Sequence, residues 1–407
     1  MTGDPRTGHA KTGHAATGHA ATGATIFTGA RIFDGACLQE GVALVVEDGH
    51  VTGILPEAAA PSGARVALRG GVLAPGLIDL QVNGGGGVML GAGDPDAEIR
   101  TICAAHARLG TTGLLPTLIT APRATTAATL AAGVAAAAAG VPGFLGLHLE
   151  GPHIDPRRNG AHAATLIRPM EDDDLQMICA AAGRMPALMV TLAPGAATPD
   201  QIAALARAGV TVSLGHSDCT LEEARAAFAA GADCVTHLFN AMSPLGHREP
   251  GLVGAALDCG IWAGLIADLV HVAPEALRIA WAAKRGPGRL FLVSDAMAVA
   301  GTDLAGFTLN GRAIRRDRTK GGAGRLTLAD GTLAGADVTL PQALANIRRV
   351  ADLGLDEALA MATSAPATCI GLSGKVGSLR PGARADFVHL DADLALKGIW
   401  IGGLAMG

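Results

Sequence analysis

Four side chains that can bind a metal or move a proton stand at the ends of short apolar runs in the sequence. They are Glu150, His216, His237 and Asp295, and the runs that precede them are Phe144–Leu149, Val210–Leu214, Cys234–Thr236 and Leu290–Val293. Such runs are typical of buried parallel strands. Side chains at the same end of several parallel strands converge, as in the active site of a (β/α)8 barrel.

One carboxylate and two imidazoles can hold a divalent metal while leaving a position open for water, and a second carboxylate can carry that water's protons. We therefore predict Glu150, His216 and His237 as metal ligands and Asp295 as the catalytic acid/base. Singly, each residue is more often structural, as a buried ion pair, a helix N-cap or a core histidine. Their joint position at predicted strand ends favours a site.

Eight apolar runs separated by Ala-rich, helix-like segments predict a (β/α)8 TIM-like barrel. The runs are Val72–Val82, Gly113–Leu118, Phe144–Leu149, Ala187–Leu192, Val210–Leu214, Cys234–Leu238, Trp262–Ala267 and Leu290–Val293. The clearest helical segments are Asp96–Leu109, Leu221–Ala230, Pro274–Lys284 and Pro341–Ala351. A long Gly-rich excursion, Asp303–Asp330, is expected after the eighth strand.

Both ends of the chain have a β-like pattern of short alternating strands and Asp-Gly turns. We predict that residues 25–74 and 372–407 form one small β-sandwich domain beside a hydrolase barrel at 75–371. Residues 1–24 repeat the letters TGHA. Such a segment has too little apolar surface to fold, so we predict a disordered tail and leave its histidines out of the site.

The composition excludes several classes of partner. The net charge is −5 and the pI is near 6.2, so there is no basic surface for nucleic acid. Leu130–Leu149 carries almost no charge, but its glycines and proline favour a helix, a turn and a strand over a membrane span. Seven cysteines without a CxxC pair, and no secretory signal, indicate a reduced cytoplasmic protein.

The ordered motifs of the chain resemble the N-acetylglucosamine-6-phosphate deacetylases of the amidohydrolase superfamily. The resemblance runs from about residue 25 to the end and is carried by PGLIDLQVNGGGG from Pro75, LHLEGPHI from Leu147, GAH from Gly160, SLGHS from Ser213, THLFNAM from Thr236, REPGL from Arg248, IADLVHV from Ile266, VSDAM from Val293 and GTLAGA from Gly331. The tail motif GSLRPGARAD, from Gly377, is shared more widely in the superfamily and is less specific.

The resemblance implies a role for each matching residue. Glu150, His216 and His237 match the metal ligands, and Asp295 matches the catalytic acid/base. His162 matches a histidine that contacts the acyl amide and polarises its carbonyl. The implied substrate-binding set is Ala161, His162, Asn240, Ala241, Arg248, His271, Leu333, Ala334 and Gly335. Within it, Asn240 and Ala241 match the phosphate-binding pair, and Arg248 matches an arginine offered across a homodimer interface.

Gln81 and Asn83 stand where many amidohydrolases carry the His-x-His that completes a second metal site. Neutral amides are poor ligands beside imidazole, so we expect one divalent metal per chain, with Zn²⁺ the default for a Glu/His₂ site. Some family members share this Gln-x-Asn variation. Gln81 and Asn83 are expected to lie near the metal without binding it.

The activity implied by the resemblance is hydrolysis of the acetyl group of N-acetyl-D-glucosamine 6-phosphate. Two other mononuclear hydrolases stay open as alternatives, an N-acyl-amino-acid deacylase and an N-acetylgalactosamine-6-phosphate deacetylase. A third alternative is a non-catalytic relative that binds a metal or a sugar phosphate. The intact Asp295 argues against it, because loss of that carboxylate is the simplest way to abolish the chemistry. A phosphate requirement separates the sugar-phosphate enzymes from the amino-acid deacylase.

Overall fold

The structure is a computed structural model, and it describes residues 23–318 and 323–406. Eight parallel strands pair in sequence order and form the barrel. We number them barrel strands one to eight: Leu77–Val82, Thr111–Ile119, Gly146–Glu150, Ala187–Leu192, Thr211–Leu214, Cys234–Val235, Trp262–Leu265 and Leu290–Leu292. The predicted fold class is confirmed.

Helices cover the outside of the barrel. They span Pro95–Ala107, Arg123–Ala138, Asp172–Ala181, Pro199–Arg207, Leu221–Ala229, Gly251–Asp258, Pro274–Ala283, Leu340–Ala351, Leu355–Ala360 and Ser364–Cys369, with 3₁₀ turns at Glu57–Ala59, Pro156–Arg158, Ala164–Leu166 and Pro194–Ala196. Three of the helices begin at a threonine, Thr198, Thr220 or Thr339, whose hydroxyl accepts a hydrogen bond from the backbone amide three residues later. This N-cap satisfies an amide that the helix itself cannot pair.

The barrel closes between its first and last strands through polar contacts. The backbone amide of Ser294 donates to the Asp79 carboxylate at 3.1–3.2 Å, and the Asp295 amide donates to the Gln81 carbonyl at 3.0 Å. Asp79 is fully buried, and burial raises its pKa to about 7. The closure therefore depends on a carboxyl group held in a dry environment.

The first predicted strand, Val72–Val82, is two strands. Val72–Pro75 pairs in the terminal sheet, and the barrel strand starts at Leu77. Gly76 lies between the two strands. The position requires glycine, because a Cβ there would lie 1.7 Å from the Thr112 hydroxyl oxygen. The sixth strand is also shorter than predicted and ends at Val235, just before His237 takes a positive φ of 28°.

Two sheets beside the barrel contain strands from both ends of the chain. The four-stranded sheet has the order His50–Pro56, Val42–Glu47, Thr25–Thr28, Ala64–Ala67. The six-stranded sheet has the order Leu404–Ala405, Leu396–Ile401, Phe387–Leu390, Val72–Pro75, Arg31–Phe33, Leu38–Gln39. Phe27 from one sheet meets Phe387 from the other edge to face, with ring centroids 4.9 Å apart. This aromatic contact lies in the core that joins the two ends.

The excursion after barrel strand eight is a four-stranded antiparallel sheet rather than a plain loop. Its strands are Gly306–Leu309, Arg312–Asp317, Gly324–Thr327 and Leu333–Asp337. The Arg312 guanidinium donates to the carbonyl of Ala161, so this sheet reaches the loop after barrel strand three. Two-residue strands at Gly84–Gly85 and Val88–Met89 complete the strand set of the described residues.

The predicted tail at residues 1–24 lies almost wholly outside the described residues. Within the described residues, no helix is long and apolar enough to cross a membrane. The segment Leu130–Leu149 contains the end of a helix, a turn and barrel strand three.

The buried carboxyl of Asp79 yields a prediction about pH and stability. Its pKa is about 7 in the folded chain and near 3.9 when unfolded, so between these values the folded state holds a proton that the unfolded state releases. The stability that Asp79 contributes through this proton is therefore fully present below about pH 4, and it is lost as the pH rises through 7. We expect the free energy of unfolding of wild type minus that of Asp79→Asn to fall from pH 5 to pH 7.5. Urea unfolding with excess chelator measures it, and a difference independent of pH would contradict the assignment.

Candidate metal centre and active site

Three potential ligand atoms meet at the mouth of the barrel. Glu150 Oε1 lies 3.1 Å from His237 Nε2 and 3.3 Å from His216 Nε2, and the two imidazole nitrogens are 3.0 Å apart. Ligands of a tetrahedral ion at about 2.0–2.1 Å lie about 3.3–3.4 Å from one another. The observed triangle therefore fits the face of a coordination tetrahedron.

The electrostatics of these three residues also fit a cation. All three are buried. Burial raises the pKa of Glu150, but its contacts with His216 and His237 outweigh burial and hold the pKa well below the ordinary value. For His237, burial lowers the pKa, and contact with Glu150 reverses the effect and raises it. A site that stabilises both a carboxylate and added positive charge is suited to a divalent ion.

His162 is also close enough to be considered as a ligand. One ligand atom from each of Glu150, His162 and His216 lies within 4.8 Å of the others. Proximity alone therefore allows two different trios, one with His162 and one with His237, and the hydrogen bonds of the rings separate them.

His216 has the tautomer of a metal ligand, and His162 does not. The His216 Nδ1 lies 2.8 Å from the carbonyl oxygen of Arg158, which only accepts, so Nδ1 carries the proton and Nε2 has a free lone pair. The His162 Nδ1 instead accepts from the backbone amide of Thr120 at 3.3 Å, which places the proton of a neutral ring on Nε2. Burial lowers the pKa of His162 to about 3, so its ring is neutral. His162 is thus a hydrogen-bond donor facing the cavity.

Backbone conformation at the site is unusual for residues other than glycine. His216, His237 and Asp295 have φ values of 45°, 28° and 51°, and Ala241 has 48°. Each such conformation costs on the order of 1–3 kcal/mol and persists where the surrounding structure imposes it. These turns directly follow barrel strands five, six and eight and send the side chains into the barrel mouth.

The two amides at the end of barrel strand one each contact a carboxylate of the site. Gln81 Nε2 donates to Glu150 Oε1 at 2.9 Å, and Asn83 Nδ2 donates to Asp295 Oδ1 at 2.6 Å. Burial raises the pKa of Asp295 to about 6, and the charge of Glu150 adds to the rise. Gln81 and Asn83 therefore lie beside the candidate ligands and the Asp295 carboxyl, with their side-chain amides engaged as donors.

The ligand atoms open into a cavity of about 410 Å³, within the range of small-molecule sites. Of the residues predicted from the sequence, it is lined by Asn83, Glu150, Ala161, His162, His216, His237, Asn240, Ala241, His271, Asp295, Leu333 and Gly335. Gln81 and Ala334 are buried behind the lining, and Arg248 is exposed on a loop outside this cavity. Sequence reasoning missed Ile119, Gly160, Met297, Leu309 and Thr332, which also line it.

A chain of buried hydroxyls beneath the candidate metal ligands was also missed. His148 Nδ1 donates to the Leu80 carbonyl at 2.9 Å, so its Nε2 must accept from the Thr191 hydroxyl at 2.7 Å. Thr191 must then accept from Thr236 at 2.5 Å, and Thr236 from Ser213 at 2.6 Å. Every proton in the chain is thereby fixed. The chain links barrel strands three to five to Thr236, next to His237, and so joins the segments that carry the three candidate ligands.

A second supporting contact involves Asp268. Its carboxylate accepts from His271 Nδ1 at 2.6 Å and from the backbone amides of Val270 and His271. The contact leaves His271 Nε2 free on the cavity side. Asp268 lies in the apolar segment Ile266-Ala-Asp-Leu-Val. Its charge in that segment is the one sequence feature that could have indicated a role near the site.

Comparison with known proteins gives the family. The amidohydrolase family matches residues 72–404. The chain belongs to the amidohydrolase family. This family is metal-dependent, which agrees with a Glu/His/His site at the barrel mouth.

Its relatives include enzymes named for two epimeric sugars. The chain is 36% identical over 371 residues to an N-acetylgalactosamine-6-phosphate deacetylase of Shewanella sp. (strain ANA-3), covering 89% of this chain and 91% of that protein. It is 38% identical over 350 residues to the N-acetylglucosamine-6-phosphate deacetylase of Homo sapiens, covering 82% and 83%. The crystal structure of N-acetylglucosamine-6-phosphate deacetylase from Pasteurella multocida superposes with a TM-score of 0.88 at 32% identity, covering 94% of this chain and 100% of that one.

The hydroxyl chain yields a prediction about stability. Thr191→Val keeps the side-chain shape but leaves the buried His148 Nε2 without a donor and removes one of the two hydrogen bonds of the Thr236 hydroxyl. We expect the free energy of unfolding to fall by about 1–3 kcal/mol, the usual cost of unsatisfied buried polar groups. Chemical denaturation measures it. Thr191→Ser retains the hydroxyl and should lose less, so equal losses in the two variants would show that the hydroxyl chain contributes nothing.

Proposed function

We propose that this chain hydrolyses the acetamido group of N-acetyl-D-glucosamine 6-phosphate to give glucosamine 6-phosphate and acetate. The observation that carries the proposal is the triangle of Glu150, His216 and His237 ligand atoms beside the buried carboxyl of Asp295 in one cavity. The named activities of the relatives, which cover most of the chain, support it.

Glu150, His216 and His237 would hold one divalent ion per chain, with Zn²⁺ the expected metal. A bound divalent ion supplies a lowered pKa for a coordinated water and an electrophile for the acyl oxygen. Gln81 and Asn83 argue against a second ion, because their amides donate to Glu150 and Asp295. The two side chains point their NH₂ groups at the carboxylates, and an NH₂ group that donates a hydrogen bond cannot bind a metal ion there.

The proposal assigns proton transfer to Asp295. Its raised pKa, about 6, lets one carboxyl act as base and acid near neutral pH. In the proposed reaction Asp295 takes a proton from the attacking water and delivers it to the departing amine nitrogen. The amine must be protonated to leave, so this second transfer is required by the chemistry. Asn83 donates a hydrogen bond to Asp295 Oδ1, so Asp295 Oδ2 is the oxygen left to carry the proton.

The proposal assigns stabilisation of the acyl oxygen to His162. Its neutral ring donates from Nε2. Its Nδ1 lies 2.7 Å from the Thr120 hydroxyl oxygen, and this contact fixes the ring. A fixed donor aimed at the carbonyl oxygen stabilises the charge that develops there as water attacks. Arg312, from the four-stranded sheet, holds the neighbouring Ala161 carbonyl and with it the turn that carries His162.

The rest of the cavity is assigned to the sugar phosphate. Asn240 and Ala241 would bind the phosphate, and His271 and the Leu333–Gly335 segment would line the sugar site. Arg248 lies outside the cavity of its own chain and is exposed. We propose that the protein is a homodimer in which Arg248 reaches the partner's phosphate site. All seven cysteines are free thiols, which supports a reducing, cytoplasmic setting.

An assay of acetate release tests the function and both alternatives. The substrates are N-acetylglucosamine 6-phosphate, its galacto epimer, unphosphorylated N-acetylglucosamine and an N-acetyl amino acid. We expect the gluco phosphate to give the highest kcat/KM. A higher value for the galacto epimer would reassign the substrate, and preference for the N-acetyl amino acid would overturn the proposal.

Asp295→Asn tests the proton carrier. The amide cannot accept or deliver the proton, so kcat should fall by orders of magnitude while folding and metal content stay near wild type. Steady-state kinetics, elemental analysis and thermal melting of the same samples measure these three properties. Retention of more than about a tenth of the wild-type kcat would exclude Asp295 from the role.

Arg248→Ala tests the phosphate contact. A charge-assisted hydrogen bond is worth about 2–3 kcal/mol, so kcat/KM on the phosphorylated sugar should fall roughly 30- to 150-fold. Activity on unphosphorylated N-acetylglucosamine should barely change. Equal losses on both substrates would show that Arg248 has a structural role.

Mixed dimers locate Arg248 relative to the site it serves. Arg248→Ala chains combined with Asp295→Asn chains should recover activity, because one site of each hybrid then contains both groups. Hybrids purified by two different affinity tags give the measurement. No recovery in such hybrids would place Arg248 in its own chain's site.

A further inference from the structure

The loop after barrel strand three contacts a candidate metal ligand through its backbone. Arg158 ends the 3₁₀ turn Pro156–Arg158, and its carbonyl oxygen accepts the Nδ1 proton of His216 at 2.8 Å. That bond fixes the His216 tautomer and the direction of its ring. Partners of this kind orient metal-binding imidazoles, and their loss weakens metal affinity.

The side chain of the same arginine ties this carbonyl in place. Arg158 Nε and Nη2 donate to Asp218 Oδ1 at 2.8 and 2.5 Å. Asp218 is two residues beyond His216, so the arginine binds the ligand's own loop. The pair is about two-thirds buried, with side chains 35% and 28% exposed.

Asp155 adds two further contacts between the same loops. Its backbone amide donates to the His216 carbonyl at 2.9 Å, and its carboxylate accepts from the Asp218 amide at 3.2 Å. The two loops are thus joined at His216 and again at Asp218. Arg158 is the residue that contributes both a side-chain bond and the backbone acceptor for the imidazole.

We infer that Arg158 is a positioning residue, whose ion pair with Asp218 holds its carbonyl oxygen on the His216 imidazole and so sets the affinity of the metal centre. The inference rests on the proposed ligand set and extends it. The loop from Arg158 continues to Ala161 and His162, which line the cavity. The contact therefore links the segment proposed to hold the acyl group to the metal centre.

Metal affinity of the full-length protein tests the inference. Zn²⁺ dissociation constants are measured by competition with a chromophoric chelator for wild type, Arg158→Ala, Arg158→Lys and Arg157→Ala. Arg158→Ala should weaken binding by about tenfold, the low end of the effect of losing such partners. Arg158→Lys keeps one charged donor and should recover part of the loss.

Arg157→Ala is the matched control. Arg157 has the same charge, is adjacent in the same loop and contacts Asp155 at 2.7 Å and Asp218 at 3.4 Å, but the imidazole hydrogen bond goes to the Arg158 carbonyl. Its removal should change affinity much less. Asp218→Ala should match Arg158→Ala, and the double variant should add little, because both remove one interaction.

A spectroscopic signal separates positioning from general loosening of the fold. In the Co²⁺-loaded protein, the exchangeable Nδ1 proton of His216 should exchange faster with water in Arg158→Ala than in Arg157→Ala. Unchanged affinity and exchange in Arg158→Ala, with wild type binding one ion tightly, would overturn the inference alone. Failure of wild type to bind an ion would instead contradict the proposed function.

Discussion

The structure depends on the crowding of three potential ligand atoms on buried side chains at the mouth of the barrel. Glu150 Oε1 and the Nε2 atoms of His216 and His237 lie 3.0–3.3 Å from one another, and all three side chains are buried. Lone pairs brought so close repel unless positive charge lies between them, and burial strengthens that repulsion. The barrel keeps the three atoms together, and a divalent cation would turn the repulsion into binding.

Much of the surrounding structure serves to hold this arrangement. The left-handed backbone at His216, His237 and Asp295 carries a conformational cost that isolated turns would not bear. The hydrogen-bond chain from His148 to Ser213 joins the strands beneath the candidate ligands, and the Arg158 carbonyl holds the His216 imidazole. The sheet beginning at Gly306 covers the cavity from the side and reaches the His162 turn through Arg312. Several independent sets of polar contacts therefore hold the candidate ligand atoms in place.

The sequence predicted the barrel and the convergence of its polar residues because strand ends are marked by a charged residue after an apolar run, as at Glu150 and Asp295. It did not predict the break at Gly76, since a close approach to Thr112 depends on the partner strand. The hydrogen bonds of Thr191 and the ion pair of Arg158 with Asp218 were missed for a related reason. A threonine in a strand and an arginine in a loop look ordinary until their partners, distant in sequence, are brought together.

The most direct test of the metal centre compares the metal content of His162→Asn and His237→Asn after dialysis against a weak chelator. Both histidines lie close to Glu150. His237 Nε2 is 3.1 Å from Glu150 Oε1, whereas His162 Nε2 is 3.9 Å from Glu150 Oε2 and carries the proton of its ring, because His162 Nδ1 accepts from Thr120. The account predicts that His162→Asn keeps close to one ion per chain, whereas His237→Asn loses most of it. Retention in His237→Asn together with loss in His162→Asn would contradict the ligand set.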